Sequence, residues 1–235
     1  MAWLGLGLAA ALVTYNIATN RDESTDAAYL LRNLAAGGVL FLVSQAAGLS
    51  LDDLGLAPAD LDDGWRWGRL AVVGVAVGSA VAGALANRVP LLSQLLSDRR
   101  ADLPLDRLMF HVLVRIPVGT AAFEEFAFRG LLLSAFAASW GDGWAVVTSS
   151  LAFGFWHVGP ARLTARINGR NEPQQVRADV FTAVAATTLG GVGFALLRLG
   201  SGSLLAPVLA HASINAFGLL VAAVVQRTGG VEPRS

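Results

Sequence analysis

Apolar runs long enough to cross a bilayer dominate the chain. A spanning helix needs about 20 mostly apolar residues to cross roughly 30 Å of hydrocarbon. Residues 2–18 qualify, as do 27–49, interrupted only by Arg32 and Asn33, and 68–85, which 91–96 can extend. Residues 108–138 exceed one span and carry charge inside, and their Pro117 can kink or divide them. Residues 144–156, continuing through His157 and Val158, then 178–197 and 203–225, complete the set. This pattern predicts an all-α fold, a polytopic membrane helical bundle of about seven spans, or eight if the fourth stretch is two helices. One integral membrane domain should fill residues 1–235. The polar, basic stretch 159–177, with its Asn168-Gly169, reads as a cytoplasmic loop. Gly74 and Gly78, then Gly83, and later Gly190, Gly191 and Gly193, predict places where helices pack closely.

Composition narrows the class. Charged residues make up 14% of the chain and hydrophobic ones 54%, against roughly 25% charged in soluble domains. A soluble enzyme and a disordered chain are excluded. The formal net charge of +0 offers nucleic acid no bulk attraction. With no Cys, disulfides, thiolate metal sites and a Cys nucleophile are excluded too. All 17 basic residues are Arg, which suggests a GC-rich bacterial genome and hence the bacterial inner membrane.

The arginines also predict orientation. With seven spans, Arg21, Arg32, Arg88, Arg99, Arg100, Arg107, Arg162, Arg166, Arg170, Arg177, Arg227 and Arg234 fall on one side. Arg66, Arg69 and Arg198 fall on the other, and Arg115 and Arg129 lie inside the fourth stretch. The positive-inside rule then places the N-terminus outside and the C-terminus in the cytoplasm, with the acidic segment from Asp52 to Asp63 outside. The first run lacks a basic n-region and is followed by Arg21, so it reads as a span rather than a signal peptide.

Charge inside an apolar stretch marks the candidate chemistry. Glu124, Glu125 and Arg129 sit where a charged side chain costs about 2.5–3.5 kcal/mol, so they must be paired, line a wet cavity, or both. Glu125 and Arg129 are four apart and share a helix face, the better orientation for an ion pair. Glu124 lies about 100° round the helix, facing something else. The spacing predicts a structural Glu125–Arg129 pair and Glu124 presented to a cavity. His157 closes the fifth span, and His211 and Asn215 share one face of the last. At 1.5 Å per residue, Glu124 and His157 stand about 22 and 21 Å from the turn joining their helices, so they should be neighbours. His211 and Asn215 lie about 12 and 18 Å below Ser203, within side-chain reach. His111 is about 20 Å along the helix from Glu124 and is left out.

A carboxylate and an imidazole around one water can make it a nucleophile. A second imidazole and an amide N–H can stabilise a tetrahedral oxyanion. The set is competent for amide hydrolysis, and no GxSxG elbow, HExxH or P-loop suggests another route. A non-catalytic immunity or scaffold protein using the same cavity for binding, and a proton-coupled transporter, are the alternatives.

Glu124-Glu125-x-x-x-Arg129, Phe153-x-x-x-His157 and His211-x-x-x-Asn215 together resemble the three motifs of the CAAX-processing and bacteriocin-processing (CPBP, or Abi) family of intramembrane endopeptidases, which includes the type II CAAX prenyl endopeptidases. The resemblance covers 108–225 as a catalytic core, whereas the spans within 1–100 match only as generic membrane helices. It implies that Glu124 and His157 activate water, that His211 and Asn215 bind the oxyanion or orient the site, and that Glu125 and Arg129 hold the motif together. The implied substrate is a hydrophobic or membrane-associated peptide or protein, in contact with the lipid bilayer. Either no cofactor is required, or one divalent metal, zinc first, is held by Glu124, His157 and His211.

Overall fold

The structure is a computed structural model and describes residues 1–20 and 24–229. Arg21 and Arg234, both counted above for orientation, lie outside the described residues. Those residues form an all-α membrane helical bundle. Its helices are α1 (Ala2–Thr19), α2 (Asp26–Ala46), α3 (Leu61–Ala84), α4 (Pro90–Leu96), α5 (105–140), α6 (Asp142–Trp156), α7 (Val158–Ile167), α8 (Pro173–Ser201) and α9 (Leu205–Arg227). By length and composition α1, α2, α3 with its preceding turn, α8 and α9 can each cross a membrane.

Local signals account for several boundaries. Thr25 accepts the Ala28 N–H and caps α2. Proline stands at the first position of α4 and of α8, where its missing N–H costs nothing. The α5–α6 turn passes through Gly141 at φ 77°, a conformation that favours glycine.

α5 differs from the expectation. It is one unbroken helix through Pro117, so that stretch is not divided. Two wide π-helical segments, His111–Ala122 and Phe126–Leu132, flank Phe123–Glu125. The looser winding absorbs the proline, and the buried Asn33 of α2 donates to the Gly119 carbonyl at 2.7 Å. The expected loop 159–177 is corrected as well. Most of it is α7 and the first turn of α8, because 158–167 has its apolar and basic residues on opposite faces.

Packing inverts the soluble pattern. Phe181 and Leu189 are 76% and 73% exposed, whereas Glu125 and Arg129 are wholly buried, as hydrocarbon outside a polar site requires. The core gathers Leu54, Phe128, Leu131, Phe136, Phe153 and Trp156 around that site. α9 packs along α3, and α6 along α8. The glycine expectation holds at Gly83 and Gly191, where an added Cβ would stand 2.8 Å from Val221 and 3.0 Å from the Arg129 Nη2, and fails at Gly74, Gly78, Gly190 and Gly193. Among the described residues nothing stands within 4 Å of a Cβ added at Gly74 or Gly78, which face outward. Gly64 and Gly68, an earlier pair at the same spacing, instead abut Ser203 and Leu209 of the α9 hairpin.

The bundle's two ends are chemically distinct. At one, Arg107 pairs with Asp26, Gln226 donates to the Leu96 carbonyl, and the Arg99 N–H donates to Asn168. At the other, residues 47–57 fold inward until Leu54 is fully buried. Arg198, assumed above to be an outer surface charge, is 8% exposed and donates to the Asp52 and Asp53 carbonyls at 3.2 and 2.9 Å. Gly55 at φ 71° makes room, since a Cβ there would stand 2.2 Å from the Arg198 Nε.

Candidate active site

Three helices deliver the polar groups to one place. α5 supplies Glu124 and Glu125 from between its two wide segments and Arg129 from within the second. The end of α6 supplies Trp156 and His157, and α9 supplies His211. The Glu124 Oε1 accepts a hydrogen bond from the Trp156 indole N–H at 3.0 Å. Its Oε2 is buried, has no hydrogen-bond partner among the described residues, and faces both imidazoles. His157 Nε2 stands 4.0 Å away and His211 Nε2 3.9 Å.

Both rings have their other nitrogen engaged. His157 Nδ1 lies 2.8 Å from the Phe153 carbonyl. A carbonyl only accepts, so Nδ1 carries a proton, and in the neutral form of the ring the Nε2 lone pair faces Glu124. His211 Nδ1 lies 2.7 Å from the Glu125 Oε1, and its ring stacks on Phe194 with centroids 5.0 Å apart. Arg129 donates to the same Glu125 oxygen at 3.2 Å and sets its guanidinium 4.0 Å above the Phe153 ring. A Cβ on Gly191 would stand 3.0 Å from the Arg129 Nη2, so this glycine gives the guanidinium its room.

The expected Glu125–Arg129 pair is present, and Glu124 is turned toward both imidazoles. The idea that Glu125 and Glu124 face different surroundings is corrected, because His211 stands between the two carboxylates and touches the spheres of both. Asn215 lies one turn further along α9, half-buried, with no hydrogen bond to the other site residues among those described. His111 is elsewhere, 2.9 Å from Asp26. Sequence reasoning missed Trp156 and, behind it, Asn16 of α1, whose Nδ2 donates to the Trp156 carbonyl at 2.7 Å. A buried indole needs a partner for its N–H, which was the available signal for Trp156.

A cavity of about 280 Å³ at the arginine-rich end is lined by His157 together with Asp98, Arg100, Asn168, Arg170 and Asp179. Burial pushes the Asp98 carboxyl up, but the Arg100 guanidinium beside it and hydrogen bonds from Arg100 and Asn168 hold it below the usual carboxylate range. His157 is the most accessible member of the cluster, its side chain 20% exposed against 7% for Glu124 and 5% for His211.

Two imidazoles and a carboxylate are a chemically suitable donor set for zinc. As placed, they do not fit one. Ligands at 2.0–2.1 Å around a tetrahedral ion stand about 3.3 Å apart, closer than the 3.9 and 4.0 Å found here. Among the described residues no group of three or more His, Asp or Glu is close enough to hold a metal ion. A water hydrogen-bonded to each group suits the wider spacing.

No curated protein and no solved structure matches the chain. Residues 106–217, the segment that carries the acid–imidazole cluster, match the family described as type II CAAX prenyl endopeptidase Rce1-like, a family of peptidases.

Proposed function

We propose that the protein is an intramembrane endopeptidase in which Glu124 and His157 activate a water that hydrolyses a peptide bond, without a metal. The observation that carries this reading is the buried Glu124 Oε2 facing two imidazole nitrogens at 3.9 and 4.0 Å. A carboxylate fixed through one oxygen, with the other turned to two nitrogens, is the geometry of a general base.

The step balances as follows. Glu124 Oε2 takes a proton from the water while the His157 Nε2 lone pair orients it. The water oxygen bonds to the substrate carbonyl carbon, and the C=O π electrons move onto the oxygen. The Asn215 amide and, when protonated, the His211 Nε2 donate to that oxyanion. Collapse of the adduct breaks the C–N bond, and Glu124 returns its proton to the departing amine. Glu125 acts through His211, holding Nδ1 so that Nε2 points into the site. Arg129 balances the Glu125 charge.

The cavity between His157 and the arginine-rich end supports entry from that side by a hydrophobic or lipid-anchored peptide. Under the positive-inside rule that end is cytoplasmic. The test is cleavage of an internally quenched hydrophobic peptide library by protein in lipid nanodiscs. Wild type is expected to cleave and to keep its activity with a chelator, and Glu124→Gln to be inactive with an unchanged thermal midpoint. Full activity in Glu124→Gln removes the general base. Loss on chelation, restored by zinc, replaces the metal-free route.

A further inference from the structure

α1 lies outside the segment that matches the peptidase family, which begins at residue 106. Its Asn16 is nonetheless 4% exposed and bonded to the residue preceding His157. Chain chemistry explains why. α6 ends at Trp156, and the N–H that would continue the helical ladder to the Trp156 carbonyl belongs to residue 160, which is Pro. Proline has no N–H to give. A carbonyl left unpaired in a buried, water-poor setting is costly, and Asn16 supplies the missing donor from another helix. The Trp156 carbonyl only accepts, so the Asn16 amide must turn Nδ2 toward it. Oδ1 is then left to accept from the Asn20 side chain.

The backbone follows the same contact. A Cβ on Gly159 would stand 2.9 Å from the Asn16 carbonyl oxygen, so α1 and the start of α7 are in near backbone contact. Trp156 is then held at both ends. Its carbonyl is fixed by Asn16, and its indole packs on Phe123 and Phe128, with centroids 5.8 and 5.6 Å away. Its N–H meets the Glu124 Oε1 at 3.0 Å. Without that donor either carboxylate oxygen can turn to the imidazoles. With it, one oxygen is committed and Oε2 is the one that faces His157 and His211.

We infer that Asn16 and Trp156 form a positioning relay, running from α1 through the end of α6 to Glu124, which selects Oε2 as the base. This rests on the proteolytic reading above. It also makes the first helix a part of the active site rather than a generic span. Neither residue touches the reacting atoms, and Asn16 acts wholly through Trp156.

The experiment uses the full chain in nanodiscs. Trp156→Phe keeps the ring and removes only the N–H, and Asn16→Ala removes the donor to its carbonyl. Each is expected to lower kcat by about 10- to 100-fold, the loss typical of a misplaced catalytic group, with KM within twofold. Each should also move the acidic limb of the kcat–pH profile to higher pH, since a donor to the carboxylate form is lost or slackened. The double variant should be no slower than Trp156→Phe, because the two changes break one relay. Multiplied losses, or a KM effect alone, overturn the inference while leaving the peptidase reading intact. A second readout needs no turnover. The Trp156 indole ¹⁵N–¹H resonance, assigned by its absence in Trp156→Phe, should move in both Glu124→Gln and Asn16→Ala. A resonance indifferent to either change overturns the relay, even if Asn16→Ala folds poorly. A wild type that cleaves nothing while the resonance moves as expected instead removes the peptidase reading.

Discussion

At the residue scale the arrangement turns on a shared oxygen. Glu125 Oε1 accepts from both Arg129 and His211, and both it and the guanidinium are wholly buried. Removing one member of a buried pair leaves an uncompensated charge and typically costs about 3–5 kcal/mol. Glu125→Ala is therefore expected to lose that much stability in reversible unfolding from mixed micelles. The double variant Glu125→Leu with Arg129→Met should recover most of it while remaining inactive, since His211 has lost its anchor. A single variant as stable as wild type would show the pair to be idle. This layer was legible in the sequence because i,i+4 spacing and the cost of intramembrane charge are local rules. The bridging of both glutamates by His211 was not. A helical wheel at 100° per residue separates Glu124 from Glu125, but an imidazole from a third helix is wide enough to meet both.

At the element scale, glycine position decides how near two helices come. A Cβ on Gly154 would stand 2.0 Å from the Thr188 hydroxyl and 2.9 Å from the Val184 carbonyl, whereas one on Gly74 would meet nothing within 4 Å. Gly154→Ala must push α6 off α8, at an overpacking cost of about 1–3 kcal/mol. It should also blunt turnover, because His157 is only three residues away. Gly74→Ala is expected to leave both unchanged, and paired thermal-unfolding and cleavage assays read the contrast. The GxxxG count at Gly74–Gly78 misled because spacing shows that two glycines share a face and not which face meets a neighbour. Likewise Pro117 signals a break only if the helix stays α-helical, and the wide winding of α5 removes that condition.

The connection between α4 and α5 gives the elements a pH-dependent tie. Asp98 accepts from the Arg100 side chain at 2.6 Å and from Asn168, which closes α7, at 3.3 Å. Its carboxyl is held below the ordinary range, so the folded state favours the ionised form. The stabilisation is therefore present above the unfolded carboxylate pKa of about 3.9 and is lost as pH falls through the lower folded value. Amide hydrogen exchange around residues 97–101 should quicken below about pH 4 in wild type. In Asp98→Asn it should already be quick at neutral pH. Exchange equally slow in that variant would deny the tie.

For the whole molecule, the arginine asymmetry survives the passage from chain to fold. Arg88, Arg99, Arg100, Arg107, Arg162 and Arg177 gather with the final turns of α1, α3 and α9 at one end, the end where the 280 Å³ cavity opens. Arg66 and Arg69 lie at the other, beside the acidic stretch. Arg198 is the exception, consumed in anchoring the inward fold of 47–57. Burial of that kind depends on contacts about 145 residues apart in the chain and leaves no local trace. The remaining surface charges obey the positive-inside rule only if the cavity mouth is cytoplasmic. The absence of Cys makes this testable with single introduced thiols. Asp62→Cys should react with an impermeant maleimide in intact bacterial spheroplasts, and Arg100→Cys only after permeabilisation. The reverse pattern would open the cavity to the outside. It would exclude cytoplasmic peptides as substrates while leaving the acid–imidazole chemistry untouched, so topology and catalysis are decided by separate measurements.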